Sequence, residues 1–130
     1  MNILVIDDDP AMTELLKMIL QATSANVYTA FNGQQGIRLC RKENPDVIIL
    51  DLMMPEMNGW EVCKAVRAFS RIPILILSAL DNPAMIAKAL DAGADDYLVK
   101  PVPSGMLIIH INNLMRRSTT ASMTLAEATS

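Results

Sequence analysis

The stretch D-V-I-I-L-D-L-M-M-P-E-M-N-G, Asp46 to Gly59, decides how the rest of the chain is read. Four apolar residues, Val47 to Leu50, run straight into Asp51. A short β-branched and aliphatic run of this kind suits a strand buried on both faces. A carboxylate directly after such a strand has left the sheet and stands in a loop that ligands can reach. Pro55 and then Asn58-Gly59 close the stretch with turn chemistry. Asp51 is therefore the candidate reactive centre.

Outward from this stretch, strands and helices alternate. Asn2–Ile6 reads as a buried strand, followed by Asp7, Asp8, Asp9 and Pro10. Asp before Pro suits an N-cap with proline at the first helical position. Met12, Leu15, Leu16, Ile19 and Leu20 recur at helical spacing, which predicts a first helix to about Ala22. Val27–Ala30 reads as a less apolar, edge strand. Asn32-Gly33 opens a second helix that turns Ile37 and Cys40 inward and ends near Glu43. After the strand 47–50, a third helix is expected from about Trp60 to Phe69. A fourth strand spans Ile74–Leu77 and stops at Ser78. Asn82-Pro83 opens a fourth helix, with Met85, Ile86, Ala89 and Leu90 as its aliphatic residues and Ala92-Gly93 at its end. Asp96–Val99 reads as a fifth strand before Lys100-Pro101. A fifth helix runs from about Ser104 to Arg117 with Ile108, Ile111, Leu114 and Met115 inward. Five β-α units predict an α/β fold with a parallel sheet and helices on both faces. Residues 118–130 are rich in Ser, Thr and Ala with a single charge, and read as a flexible tail or truncated linker after a domain at 1–117.

Composition narrows the class. With 130 residues the chain makes one domain, and 52% hydrophobic residues exclude a disordered chain. No apolar run reaches the roughly 20 residues of a membrane span. No basic segment precedes the first strand, so no signal peptide is expected. A net charge of −3 gives no reason to expect nucleic-acid binding. Cys40 and Cys63 lie on apolar helix positions without a zinc-ligand pattern, and read as small buried hydrophobes. The expected compartment is the reducing cytoplasm.

In an open parallel sheet every strand-to-helix loop opens at the same edge, where ligands bind. This chain places Asp7 and Asp8 there after the first strand, Asp51 after the third, Ser78 after the fourth and Lys100 after the fifth. Taken singly, each is ordinary cap or turn chemistry; jointly they make a site. Carboxylates about 4 Å apart repel by about 4 kcal/mol at an effective dielectric near 20, so a cation belongs among them. An all-oxygen site with room for water favours Mg²⁺. Asp51 is then the nucleophile for a phosphoryl group, Ser78 a hydrogen-bond donor to it, and Lys100 a point charge against it.

The motifs V-I-D-D-D-P at 5–10, I-L-D-L-M-M-P-E-M-N-G at 49–59, I-L-S-A at 76–79 and G-A-D-D-Y-L-V-K-P at 93–101 resemble those of the receiver domains of two-component response regulators, from Met1 to about Arg117. The resemblance implies a flavodoxin-like sheet of order 2-1-3-4-5. It implies that Asp51 takes a phosphoryl group from a phosphohistidine, with a sensor histidine kinase or phosphotransfer protein as partner. Asp7, Asp8, Asp51 and the backbone carbonyl of Met53 hold Mg²⁺, for which Mn²⁺ can substitute. Ser78 and Tyr97 are the switch pair, Lys100 is the invariant lysine, and the Lys100-Pro101 bond is cis. The output face comprises the fourth helix, fifth strand and fifth helix.

Two departures from the family pattern stand out. Where relatives with winged-helix outputs place an ion-pair lattice, this chain has Ile86, Met106 and His110, with only the acids Asp95 and Asp96 kept. The face is expected to dock an output domain or protein through an apolar patch, or to form a homodimer of a different kind. Met53 and Leu80 hold the two positions beside the site that orient hydrolytic water in faster relatives, which predicts a slowly hydrolysed phosphoryl-Asp51. An aspartyl-phosphate phosphatase on the same architecture is the alternative. It wants an acid two residues after its nucleophile, where Met53 stands. A flavin or nucleotide binder needs a Gly-, Ser- or Thr-rich loop where the three acids lie. An unphosphorylated pseudo-receiver does not fit the full acidic set. His110 lacks the helical-hairpin context of a phosphodonor, and Trp60 reads as a partly buried staple.

Overall fold

The computed structural model describes the backbone of residues 1–129 and the side chains of residues 1–118. Five strands, β1 (Asn2–Ile6), β2 (Asn26–Ala30), β3 (Val47–Leu50), β4 (Ile74–Ser78) and β5 (Asp96–Val99), alternate with five helices. The helices are α1 (Pro10–Gln21), α2 (Gly33–Glu43), α3 (Gly59–Arg67), α4 (Pro83–Asp91) and α5 (Ser104–Thr129). The strands pair in parallel in the order β2-β1-β3-β4-β5, as the resemblance implied.

Period-two alternation along the strands feeds two cores. Leu4, Ile6, Ile48, Leu50, Ile74 and Ile76 face α2, α3 and α4, meeting Cys40, Val62, Val66 and Ala89. Ile3, Val5, Val47, Ile49, Leu75 and Leu77 face α1 and α5, meeting Leu16, Leu20, Leu107, Ile111 and Leu114. Both cysteines are buried and free, and burial pushes the Cys63 thiol up to about 11.

Register builds the site edge. Ile6 lies beside Leu50, so Asp7 and Asp51 emerge side by side, and Asp51 N–H donates to the Ile6 carbonyl at 3.0 Å. Ser78 lies beside Val99, which sets Lys100 next to the Ser78 loop. Four helices open on side-chain caps, three of them at the residues expected to start a helix and the fourth, Asn58, at a residue read as a turn. The side chains of Asp9, Asn32, Asn58 and Asn82 each accept a backbone N–H of the following turn.

Several expectations need correction. Leu15 is 50% exposed, and Thr13 takes the inward place with Leu16 and Leu20. Steps of 100° put 13, 16 and 20 on one face and Leu15 on the other. On α5 Leu107 is buried where Ile108 was expected, and Ile108 is only half-buried. α3 starts at Gly59 and ends at Arg67, because Asn58 supplies the cap directly and Phe69 lies past the helix. α4 buries Ala89 alone, and Leu90 points outward. The helical backbone of α5 continues past Arg117 to Thr129. No Pro or Gly interrupts that segment, and its Ala, Met, Leu and Glu are good helix formers.

Candidate phosphoryl-transfer site

Asp7, Asp8 and Asp51 each offer a carboxylate oxygen, and these oxygens lie within 4.8 Å of one another. Asp7 and Asp51 are buried and Asp8 is half-exposed. Lys100 reaches in from the end of β5, with Nζ 2.9 Å from Asp7 Oδ2 and 3.8 Å from Asp51 Oδ2. The second Asp7 oxygen, Oδ1, accepts the Asp9 N–H at 2.9 Å. Ser78 is fully buried at the end of β4, where its Oγ accepts the Leu80 N–H at 3.3 Å. The four strand ends named from the sequence thus converge on one pocket.

The loop after β3 presents Asp51 by a division of neighbours. Leu52 and Met54 turn into the core while Met53 stands 57% exposed above the site. Asp51 Oδ1 accepts the Met53 N–H at 3.3 Å. Gly59 lets the loop fold back on itself. A Cβ there would lie 2.6 Å from the Asp51 carbonyl oxygen and 2.8 Å from Leu52 Cα.

Burial pushes the Asp51 carboxyl above its usual range. The Lys100 ammonium pulls it back, Asp7 pushes it up again, and the Met53 N–H and Ser78 hydroxyl lower it. A pocket that holds three acids at such range against one ammonium has the donor set and the charge excess of a hard-cation site. Tyr97 donates from Oη to the Leu80 carbonyl at 2.6 Å. Burial raises its phenol, the Ser78 hydroxyl lowers it, and Asp51 and Asp81 raise it.

The arrangement matches a family. The response regulator receiver domain family model covers residues 3–112. The chain belongs to the response regulator receiver domain family. It is 38% identical over 116 residues to the transcriptional regulatory protein AfsQ1 of Streptomyces coelicolor, covering 89% of this chain and 52% of that protein. It is 37% identical over 117 residues to the DNA-binding response regulator MtrA of Mycolicibacterium smegmatis, covering 90% of this chain and 51% of that protein. The chain thus spans about half the length of these curated relatives. Among solved structures, the receiver domain of the Francisella response regulator 1452 superposes with a TM-score of 0.84 at 36% identity, covering 90% of this chain and 98% of that one. The Vibrio cholerae chemotaxis protein CheY4 gives 0.81 at 31% identity, covering 87% and 97%. The phosphatase alternative gains no support from these matches.

The Lys100-Pro101 bond is cis. On the α4-β5-α5 face, Met106 is 47% exposed and Ile86 half-buried. Asp96 is engaged by His110, whose Nδ1 lies 2.6 Å from Oδ2, and it also accepts the Tyr97 N–H. Asp95 is engaged by Arg67 Nη2 at 2.7 Å and by the Ile74 N–H at 2.8 Å. Both acids kept on that face therefore have partners within the chain. Trp60 is half-buried as a staple, with the Lys88 ammonium 4.7 Å from its ring centroid and its Nε1 buried without a partner. The sequence reading missed Thr13 and Arg67. The first carried one local signal, a hydroxyl at the inward position four residues after a capping Asp. Among the described residues, no helix is long and apolar enough to cross a membrane.

Proposed function

We propose that this receiver domain accepts a phosphoryl group on Asp51 from the phosphohistidine of a sensor histidine kinase or phosphotransfer protein in the cytoplasm. The observation that carries the reading is the convergence of Asp7, Asp8 and Asp51 within 4.8 Å beside the Lys100 ammonium. An Asp51 carboxylate oxygen attacks phosphorus, the phosphorus–oxygen bond forms as the phosphorus–nitrogen bond breaks, and the imidazole leaves with the bonding pair. Lys100 neutralises a phosphoryl oxygen, and the Ser78 hydroxyl donates to another. The carboxylates of Asp7, Asp8 and Asp51 and the carbonyl of Met53 would hold Mg²⁺, or Mn²⁺ in its place. When bound, the ion supplies positive charge against the carboxylates and a coordination position for phosphoryl oxygen.

Transfer to Asp51 then draws Ser78 toward the new phosphoryl group and releases Tyr97 to turn inward, changing the face formed by α4, β5 and α5. That face controls an output domain or protein, or pairs two copies of the chain, through Ile86, Met106 and His110. Residues 1–117 act as the receiver, and 118–130 as tail or linker. The test is incubation with acetyl phosphate and Mg²⁺, read by intact mass. One phosphoryl group is expected on the parent and none on Asp51→Asn; a parent without mass gain refutes the reading.

A further inference from the structure

Thr13 is buried on α1, facing the loop that carries the acidic pair. Its hydroxyl lies 2.8 Å from the Asp9 carbonyl oxygen and 3.2 Å from the Asp7 carbonyl oxygen. Its own N–H donates to the Asp9 carbonyl at 3.0 Å, as the first turn of α1 requires. The residues that receive the hydroxyl are those on either side of Asp8. Among the described hydrogen bonds, the Thr13 hydroxyl is the only donor to the Asp7 carbonyl. Two peptide planes flank the Asp8 Cα, and they decide where its Cβ points. The first of them carries the Asp7 carbonyl, which the Thr13 hydroxyl holds, and the same hydroxyl ties the far end of the turn through the Asp9 carbonyl of the next plane.

We propose that Thr13 is the positioning residue of the metal-binding acids, fixing the turn so that the Asp8 carboxylate converges with Asp7 and Asp51. The inference rests on the site reading given above. Asp7 needs less help, because Asp9 N–H and Lys100 already hold its two oxygens. Asp8 has no such side-chain partner among the described hydrogen bonds, so its aim depends on the backbone. Thr13→Val keeps the β-branched shape and removes the proton. The Asp7 carbonyl, left without its donor, reorients toward another partner, and the turn relaxes with it, while the Asp9 carbonyl keeps the backbone N–H of residue 13.

The test is calorimetric titration of Mg²⁺ into the whole chain at fixed pH, with the metal-free melting temperature measured alongside. Outer partners of metal ligands are worth about 10- to 100-fold in affinity, and the backbone route here suggests the lower end, about tenfold. Thr13→Val is expected to raise the Kd for Mg²⁺ about tenfold, while Thr13→Ser stays near the parent. A Thr13→Val Kd equal to the parent's overturns the proposal, even if its melting temperature falls, since a merely structural role moves only the latter. Equal weakening in Val and Ser variants also overturns it. Should Thr13→Val not fold, Thr13→Cys, with its weaker donor, takes its place with a smaller rise in Kd expected and the same refuting result. A parent that takes up no Mg²⁺ refutes the site reading itself, a failure distinct from unequal variants of a binding parent.

Discussion

Lys100 stands against two buried carboxylates, and removing its charge should make the fold strongly dependent on pH. In Lys100→Met the apolar stem is kept and the ammonium is lost. Asp7 and Asp51 then face each other across at most 4.8 Å without a cation, a repulsion of about 3.5 kcal/mol at an effective dielectric near 20. Breaking one partner out of a buried ion pair costs about 3–5 kcal/mol, of the same size. At roughly 3–5 °C per kcal/mol for a chain of this length, the melting temperature at pH 7.5 should fall by about 10–20 °C.

The pH profile separates this cause from simple loss of packing. Burial already raises the Asp51 carboxyl, and Lys100 is the strongest influence holding it down. Without Lys100 the folded value rises further above that of the unfolded chain. Such a carboxyl holds its proton more tightly in the native state. Its penalty is absent below the ordinary value of 3.8 and grows as pH rises through the folded value. The deficit of Lys100→Met should therefore shrink steadily as pH falls toward 4. Mg²⁺ at about a hundred times the parent's Kd adds about 2.7 kcal/mol to the parent and more to a variant whose carboxylates have lost their ammonium and bind the ion more tightly, which should narrow the gap at pH 7.5. Circular-dichroism melts at both pH values, with and without Mg²⁺, decide the matter. An equal loss at pH 4.5 and 7.5 would refute the electrostatic account.

Other positions give independent checks. Gly59→Ala should cost about 1–3 kcal/mol in denaturant unfolding, because the new methyl meets backbone at Asp51 and Leu52 that has no rotamer to yield; stability within 0.5 kcal/mol of the parent would show that the loop gives way freely. Met53→Asn with Leu80→Glu should speed decay of phosphoryl-Asp51 about tenfold or more by placing polar groups where water must be oriented, and a lifetime equal to the parent's by intact mass would end that account. Asp51→Asn should raise the metal-free melting temperature at pH 7 and converge with the parent near pH 4, since it removes a carboxylate whose ionised form burial disfavours; a constant difference across that range would contradict this. Ile86→Lys with Met106→Glu should weaken self-association or partner capture on the α4-β5-α5 face, measured by sedimentation, and unchanged binding would remove that face from the reading.

The candidate site was legible in the sequence because strand ends carry it. A buried parallel strand announces itself as a short apolar run, and the residue after it falls at a known edge of the sheet. Asp7, Asp51, Ser78 and Lys100 could be placed by counting along such runs, with no knowledge of helix packing. Facing within helices was harder. Leu15 and Ile108 are as apolar as their buried neighbours Leu16 and Leu107, and an apolar run two or more residues wide does not say which member points inward. Arg67 was out of reach for a different reason. Its guanidinium spans to the carbonyls of Gly93, Ser70 and Ile72 and to Asp95, across up to 28 positions, and no local pattern encodes such a contact.

The same Arg67 network bears on how, under the proposed function, a phosphoryl charge at Asp51 would reach the α4-β5-α5 face. α4 buries only Ala89, so little apolar contact holds it. Its C-terminal end is tied down, since Arg67 grips Gly93 and Asp95 on either side of the turn into β5. Its N-terminal end is tied through the Leu80 loop, whose N–H donates to Ser78 Oγ and whose carbonyl accepts Tyr97 Oη. These two bonds meet at one residue. A Ser78 hydroxyl drawn toward a phosphoryl group leaves the Leu80 N–H without its acceptor, and the peptide that holds Tyr97 is then free to move. Tyr97 N–H in turn donates to Asp96, and Asp96 holds His110 on α5. On the proposed reading, the hinge of the switch would be the N-terminal end of α4, with Arg67 holding the opposite end.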